Sequence, residues 1–450
     1  MVRRERGPRR GNDERSGGKP ARGRPERGRP GKPAHGKPAH GKPTHGKPTQ
    51  GKPSHGKPTH GKAPQGQDAQ PRDRDAARRP PVQRATTPPP ARRVFPTVTL
   101  AAPSPARAGE WLLTTRPGAE LDLIEELYFN DEKSAPRPAG ASLVAARARP
   151  KKHGQTVELA FARQGFLVAE TTSASGSEIA RAIATALHAA SRVPVAWAFD
   201  IWVPDSDVAN PLNAAATALE AETLREIATI AASWSVTRVP DARVAFSENG
   251  LYAQVCLLPD RRCAVGVGWA RDAISLAPGG RLRVHVPSAA PSRAAMKLLE
   301  AFAWLDRAPE PGDLCVDLGA APGGWTWVLL EKYRTRVLAV DPANLDKSVV
   351  GQRGLVHLRA DAFKIEPEET MDWLFCDMAF RPLEVAGLLA KWARRQWARM
   401  LIANIKLPMR KKAEIMARVR DILEDGGWTN LRVRQLYHDR DECTIAGVRL

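Results

Sequence analysis

No run of 18 consecutive apolar residues occurs anywhere in the 450-residue chain, which excludes a membrane-spanning helix of ordinary length. No apolar h-region follows the basic start, so a secretory leader is not expected and the predicted location is cytoplasmic. The five cysteines, Cys256, Cys263, Cys315, Cys376 and Cys443, form no Cys-x-x-Cys pair, and reduced, packed thiols are expected. Residues 1–93 contain no Phe, Trp, Tyr, Leu or Ile. Such a segment cannot bury enough apolar surface to offset the entropy of ordering it, and it is predicted to be a disordered tail.

That tail is short of acid as well, with 25 Lys and Arg against seven Asp and Glu. It carries +18 of the chain's net +20. From Gly31 to about Lys62 a five-residue unit recurs as Gly-Lys-Pro-Ala-His or a close variant, which favours a loose extended chain with its lysines spread along it. A tail of this kind either attracts a polyphosphate through counterion release or simply keeps the protein soluble. His35, His40, His45, His55 and His60 have glycine-rich spacers that impose no ligand geometry, so no metal is expected there.

About 355 residues from Phe95 onward remain to fold, enough for two or three domains. A strand over 110–116 and a helix over 119–129, with Leu121, Ile124, Leu127 and Tyr128 on its apolar side, are followed by a Pro, Ala and Arg-rich loop to about residue 152. Strands over 157–161 and 166–170, a helix over 177–190 and a strand near 195–203 complete a β-α-β-β-α-β order, which resembles a ferredoxin-like half-sandwich over 95–205. A helix over 214–232 and strands over 243–246, 251–258, 263–269 and 281–286 come next. From residue 289 the pattern becomes α/β. Ser292 can cap a helix over 293–305, and then strands and helices alternate, including a short segment at 345–351, up to two final strands expected to form an antiparallel edge. This predicts a Rossmann-like, doubly wound sheet with ligands at the carboxyl ends of its strands.

At the first of those ends stands Asp317-Leu-Gly-Ala-Ala-Pro-Gly-Gly-Trp325, an apolar strand closing in an acid, a glycine-rich turn and a helix start. Glycines allow close backbone approach, and the unpaired N–H groups of the helix start face whatever lies above the loop. There is no Gly-x-x-x-x-Gly-Lys-Ser/Thr, which disfavours a triphosphate, and no plain Gly-x-Gly-x-x-Gly of a dehydrogenase. The loop resembles the S-adenosylmethionine loop of Rossmann-like methyltransferases. Ala321, Pro322, Gly323 and Gly324, with the strand-end acids Asp341, Asp361 and Asp377, are therefore the candidate cofactor residues. Asp341 is placed to accept from ribose hydroxyls and Asp361 to reach an adenine amine. No Asp-Pro-Pro-Tyr motif of an amino-group methylase follows Phe375, and Cys376 lies in a buried-strand run, unlike the exposed nucleophile of a C5-methylase. Lys406, ending an apolar strand, is on its own either a snorkelling edge residue or a desolvated base.

Lys297, Asp377, Lys406 and Glu442 match in order and placement the Lys-Asp-Lys-Glu tetrad of ribose 2'-O-methyltransferases. The surrounding Ala290-Pro-Ser-Arg293, Asn404-Ile-Lys-Leu-Pro-Met409 and Gln435-Leu-Tyr-His-Asp-Arg440 resemble the RlmM family, whose members methylate a cytidine of 23S ribosomal RNA. The close match covers residues 291–450. The resemblance implies a ferredoxin-like domain (95–205), a THUMP-like RNA-binding domain (206–288) and a class I methyltransferase domain (289–450). It also implies S-adenosylmethionine as cofactor, no metal, and 23S ribosomal RNA as partner before the large subunit is fully assembled. Lys406 is then the general base, and Lys297 together with burial is expected to lower its pKa while Asp377 and Glu442 orient the amines. Two departures stand out: the tail has no counterpart in the family pattern, and Ala294-Ala295 occupies positions where small hydroxyl residues are expected. A base methylase and a non-catalytic RNA-binding assembly factor are the alternatives.

Overall fold

The computed structural model describes residue 98 and residues 101–152, 155–156 and 158–449. The basic tail, with its repeats and histidines, lies outside the described residues.

The first strand, β1 (Trp111–Thr114), leads into α1 (Glu120–Asn130), which buries Leu123, Ile124 and Leu127. Leu121, predicted on the apolar face, is exposed instead. The helix packs on a later helix, Lys412–Gly426, as well as on its own sheet, and Asp122 turns inward to meet Lys412 Nζ at 3.4 Å. The predicted loop after α1 contains a hairpin, β2 (Arg137–Gly140) and β3 (Leu143–Ala146), closed by Ser142 at a positive φ of 60°. A short pair, β4 (Lys151–Lys152) and β5 (Gln155–Thr156), follows. The strand expected over 157–161 does not form over its described residues, 158–161. The N–H groups of Ala160 and Phe161 donate to the Glu126 carboxylate at 2.7 and 3.0 Å and so have no need of a sheet neighbour. The strand expected over 166–170 is two: β6 (Gln164–Leu167) completes an antiparallel sheet in the order β2-β3-β1-β6, and β7 (Glu170–Ser173) enters another.

That second sheet has the order β7-β10-β9-β8, with α2 (Gly176–Ala190), β8 (Trp197–Trp202), α3 (Asn213–Ile230), α4 (Ala232–Val236), α5 (Ala242–Ser247), β9 (Leu251–Leu257) and β10 (Arg262–Trp269) in chain order. The sheets thus divide the chain between Leu167 and Glu170, not at residue 205, because β7 pairs with β10 over Glu170 to Ser173 while β8 runs parallel to β9. Residues 243–246, expected as a strand, are helical because the Asp241 carboxylate accepts from the N–H groups of Arg243 and Val244 and caps α5. The strand expected over 281–286 is irregular, its Arg281 bonded to the Val203 carbonyl at 3.0 Å.

The remaining elements are α6 (Ala294–Leu305), β11 (Leu314–Leu318), α7 (Gly324–Glu331), β12 (Arg336–Val340), β13 (Leu355–Leu358), β14 (Met371–Cys376), α8 (Pro382–Arg394), β15 (Ala398–Lys406), α9 (Lys412–Gly426), β16 (Thr429–Arg434) and β17 (Glu442–Val448). They build a seven-stranded Rossmann-like sheet, β13-β12-β11-β14-β15-β17-β16, in which only β17 runs against its neighbours. Ser292 does not cap α6: Arg293 is the cap residue, and Ser292 Oγ is buried without a hydrogen-bond partner. Residues 345–351 form turns, held by Asp346 donating its N–H to the Pro322 carbonyl and accepting from Ser348 N–H.

One apolar core joins the first sheet to the Rossmann-like sheet. Leu123, Ile124 and Leu127 of α1 belong to the same buried cluster as Val419 and Leu423 of α9 and Ile405 of β15. A fully buried Leu is worth about 1.5–3 kcal/mol relative to exposure, so this shared core fixes the two parts in one arrangement. It also brings residues near 116 and 163 to the carboxyl edge of the large sheet.

Candidate active site

Parallel strands end on one edge, so Asp317, Asp341, Asp361 and Asp377, at or just beyond the ends of β11, β12, β13 and β14, share the rim on which β15 ends in Lys406. The antiparallel run of β17 is what adds the fourth tetrad member, since it begins where its neighbour finishes and sets Glu442 in register with Lys406. Lys297 comes from the first turn of α6. The four side chains meet: Lys406 Nζ donates to Asp377 Oδ1 at 2.5 Å and to Glu442 Oε2, while Lys297 Nζ contacts Glu442 Oε1 and lies 3.8 Å from Asp377 Oδ2. Glu442 is 5% exposed and Lys406 28%, so the carboxylate is enclosed while the amine keeps an opening to solvent.

Burial pushes the pKa of Lys406 down, but the Asp377 and Glu442 carboxylates push it up more strongly, and it stands above the usual lysine value. The expected lowering is thus reversed: the two carboxylates outweigh burial. Glu442 shows the other half of the pair: burial raises its pKa, Lys297 and Lys406 more than compensate, and it falls below the usual glutamate value. Burial drives the Cys376 thiol up to about 12, so it is no nucleophile at neutral pH. All five cysteines are free and buried.

A set of residues to which the sequence-based expectation gave no role holds the tetrad. Asn404 Nδ2 donates to Asp377 Oδ1 at 3.3 Å, and Thr444 Oγ lies 2.6 Å from Asn404 Oδ1 and 3.1 Å from Asp439 Oδ2. Asn404 stands two residues before Lys406 on the same face of β15, a period-2 signal that was legible in the sequence. Glu300, one turn after Lys297 on α6, accepts the N–H groups of Tyr437 at 2.7 Å and His438 at 2.9 Å, and burial raises its pKa to about 7. Its i+3 spacing from Lys297 was also readable. Arg163, which arrives from the first sheet, has no such local signal.

The glycine loop lies beside this cluster. Asp317 is fully buried, with Oδ2 accepting from Thr326 Oγ1 at 2.7 Å and Oδ1 unpartnered, and burial lifts its pKa to about 7. Asp341 Oδ2 accepts from Ala321 N–H at 3.1 Å and Oδ1 from Ala343 N–H at 2.8 Å, so it braces the loop. Asp361 is exposed and caps a short 3-10 turn by accepting from Phe363 N–H. Ala321–Pro322 is a cis peptide, and Gly323 has φ +112°. A Cβ at Gly319 would lie 2.7 Å from Met378 Cγ, and one at Gly324 would fall on Ser292 Oγ, so the loop approaches its surroundings by backbone alone. Ala294 contributes its carbonyl to Trp325 Nε1 at 3.0 Å.

Residues 290–407 match the model of the FtsJ-like methyltransferases. Ribosomal RNA large subunit methyltransferase M of Halorhodospira halophila is 36% identical over 353 residues, an alignment that spans 76% of this chain and 97% of that relative. The chain belongs to the ribosomal RNA large subunit methyltransferase M family. Two further members, from Alkalilimnicola ehrlichii and Stenotrophomonas maltophilia, are 33% and 36% identical over 369 and 365 residues, covering 77% and 74% of this chain and 97% and 95% of theirs. It is accordingly an S-adenosylmethionine-dependent methyltransferase. Its residues fit that cofactor: a close-approach glycine loop, an orphaned buried carboxylate oxygen on Asp317 and a rim of acids suit a cationic nucleoside that carries no phosphate. Among the described residues no group of His, Cys, Asp or Glu is placed to hold a metal ion, and no helix is long and apolar enough to cross a membrane.

Lys297, Lys406 and Glu442 open onto a cavity of about 760 Å³ whose far wall is Arg116, Arg163 and Asp205 of the N-terminal sheets. A nucleotide-sized ligand approaching the tetrad from this side meets a charged lining in which six Lys and Arg stand with four Asp and Glu.

Proposed function

We propose that this enzyme methylates the ribose 2'-hydroxyl of a cytidine in 23S ribosomal RNA, with Lys406 as general base. The carrying observation is the convergence of two lysines and two carboxylates beside the glycine loop, together with a buried, unreactive Cys376. A ribose hydroxyl is a poor nucleophile with a pKa far above 7, so a base must take its proton as the new bond forms. S-adenosylmethionine, when bound, supplies the electrophilic methyl group and a sulfonium charge. If Asp377 holds the cationic end of that cofactor, the carboxylate would be shared between two cations and its hold on the Lys406 ammonium would weaken, which would lower the lysine's pKa toward a value at which it can accept a proton. Glu442 holds Lys297 and Lys406 together, and Asn404 steadies Asp377 through the Oδ1 that also accepts from Lys406.

In this reading Ala321, Pro322, Gly323, Gly324, Asp341 and Asp361 hold the nucleoside end of the cofactor and Asp377 its methyl end. The two N-terminal sheets carry the ferredoxin-like and THUMP-like modules that hold RNA over the site. The substrate is the ribosomal RNA before the large subunit is complete, in the cytoplasm. The test is to incubate ribosomal RNA from cells lacking this chain with the purified protein and tritiated S-adenosylmethionine in the presence of chelator, then digest with alkali. A 2'-O-methyl group blocks alkaline cleavage at its own phosphodiester, so label in alkali-stable dinucleotides beginning with cytidine is expected. Label recovered in free mononucleotides would indicate base methylation and overturn the reading.

A further inference from the structure

We propose that Arg163, delivered by the N-terminal sheet, is a positioning residue of the methyl-transfer site: it holds the 436–441 loop so that Glu442 stays between Lys297 and Lys406. The inference rests on the reading of Lys406 as base. Arg163 immediately precedes β6 and is only 3% exposed, although its guanidinium reaches across to the Rossmann-like part of the chain. There Nη2 donates to the carbonyls of Leu436 at 3.1 Å and Tyr437 at 3.4 Å, and the guanidinium lies 5.5 Å from the centre of the Tyr437 ring. Nη1 is tied to Asp205 Oδ2 at 3.1 Å, which fixes the guanidinium from the N-terminal side.

The loop is gripped from two directions. Arg163 takes its carbonyls, while Glu300 on α6 takes the N–H groups of Tyr437 and His438. Between these grips and Glu442 the chain has little slack: Leu436 N–H bonds Asp439 Oδ2 at 2.9 Å, Gln435 Nε2 bonds the Arg440 carbonyl at 3.0 Å, and Leu407 N–H bonds the Asp441 carbonyl at 2.8 Å. A shift of the loop therefore moves Glu442. A planar, forked, permanently charged donor suits this task in a way a single ammonium does not. The consequence is that the methyl-transfer centre spans the shared core, with the acids and amines on one side and the residue that sets their spacing on the other.

Lys406 is faced by Asp377 from the end of β14 and Glu442 from β17, with Lys297 of α6 across the two carboxylates and Arg116, Arg293, Arg440, His438, Asp439 and Asp441 around the cavity. Loss of the Arg163 grip lets Glu442 drift from Lys406, which removes one of the two carboxylates that favour the ammonium. The experiment is single-turnover methyl transfer as a function of pH on the full chain, comparing wild type with Arg163→Met and Arg163→Lys, alongside S-adenosylmethionine affinity. Arg163→Met is expected to lower the plateau rate by about 10- to 100-fold, the scale of a misplaced catalytic group, with cofactor affinity unchanged. Its rate is also expected to begin rising about one pH unit lower than in wild type, as Lys406 loses charge stabilisation. Arg163→Lys should recover part of the plateau. Should Arg163→Met fail to fold, Asp205→Asn, which loosens the guanidinium without opening a hole, should move the profile the same way by less. A plateau and profile that overlay wild type in whichever of these variants folds overturn the proposal. A wild-type profile with no lysine-like limb overturns instead the assignment of Lys406.

Discussion

At the residue scale the site is a balance of four charges, and single substitutions read it directly. Lys406→Ala should leave S-adenosylmethionine affinity nearly unchanged and reduce single-turnover rate by about 10²- to 10⁴-fold, the usual cost of losing a general base. Rapid-quench assays with saturating RNA check this, and a wild-type rate would remove Lys406 from the role. Lys297→Ala acts through its neighbours. With that ammonium gone, Asp377 and Glu442 are less neutralised, Lys406 holds its proton more tightly, and the rising limb of the rate profile is expected at higher pH. Movement to lower pH would show that Lys297 acts by other means. The tetrad was legible in the sequence because each member sits in a recognisable motif, whereas the raised pKa of Lys406 was not, since it depends on distances between residues up to 36 positions apart.

Single elements carry two further consequences. Gly323 caps the start of α7 at φ +112°, where a Cβ would also lie 2.9 Å from Val349 Cγ2. The glycine is thus required first by its own fold and only then by a ligand. Gly323→Val should cost about 1–3 kcal/mol from the backbone conformation alone and abolish measurable cofactor binding. Calorimetric titration together with a thermal melt checks both, and retained affinity would show that the loop tolerates rearrangement. On α1, Glu126 is buried with its pKa raised to about 7, mainly by burial, against two backbone N–H bonds that pull it down. A carboxyl whose folded pKa exceeds its unfolded value contributes stability that is complete below the unfolded pKa, here about 4.5, and is lost as pH rises through about 7. Glu126→Gln should therefore flatten the fall in melting temperature between about pH 4.5 and 7, and an undiminished slope would assign that fall to other groups. Local pattern misled at Glu126 and at one other element. The strand expected over 157–161 gave way to the Glu126 interaction, and the strand expected over 243–246 gave way to an Asp241 cap whose oxygen accepts from Arg243 and Val244.

For the whole molecule, the charge is distributed very unevenly, with +18 on residues 1–93 and only +2 on the rest. Deleting the tail removes no Phe, Trp, Tyr, Leu or Ile, so melting temperature and cofactor affinity should not change. RNA affinity at low salt should fall, and the slope of log affinity against log salt should become shallower, because fewer counterions are released on binding. Target choice should persist, since a charged chain positions RNA without reading bases. Equal slopes for the full and shortened chains would leave the tail a solubilising role only.

Read alone, the sequence determined the features written locally: the period-2 and period-3.6 runs of the Rossmann-like sheet, the glycine loop after Asp317 and the short motifs around Lys297, Asp377, Lys406 and Glu442. Each depends on residues a few positions apart, where side-chain spacing and backbone preference act directly. Tertiary structure alone decided where the N-terminal sheets divide, because two short strands separated by Val168 and Ala169 give no sign of which neighbours they will pair with. It alone decided that α1 turns Leu123 inward and Leu121 out, since a second packing partner, α9, sets the buried face. It also decided that Arg163 stands behind a loop 273 residues further on, because only a shared apolar core brings such distant groups within hydrogen-bond reach.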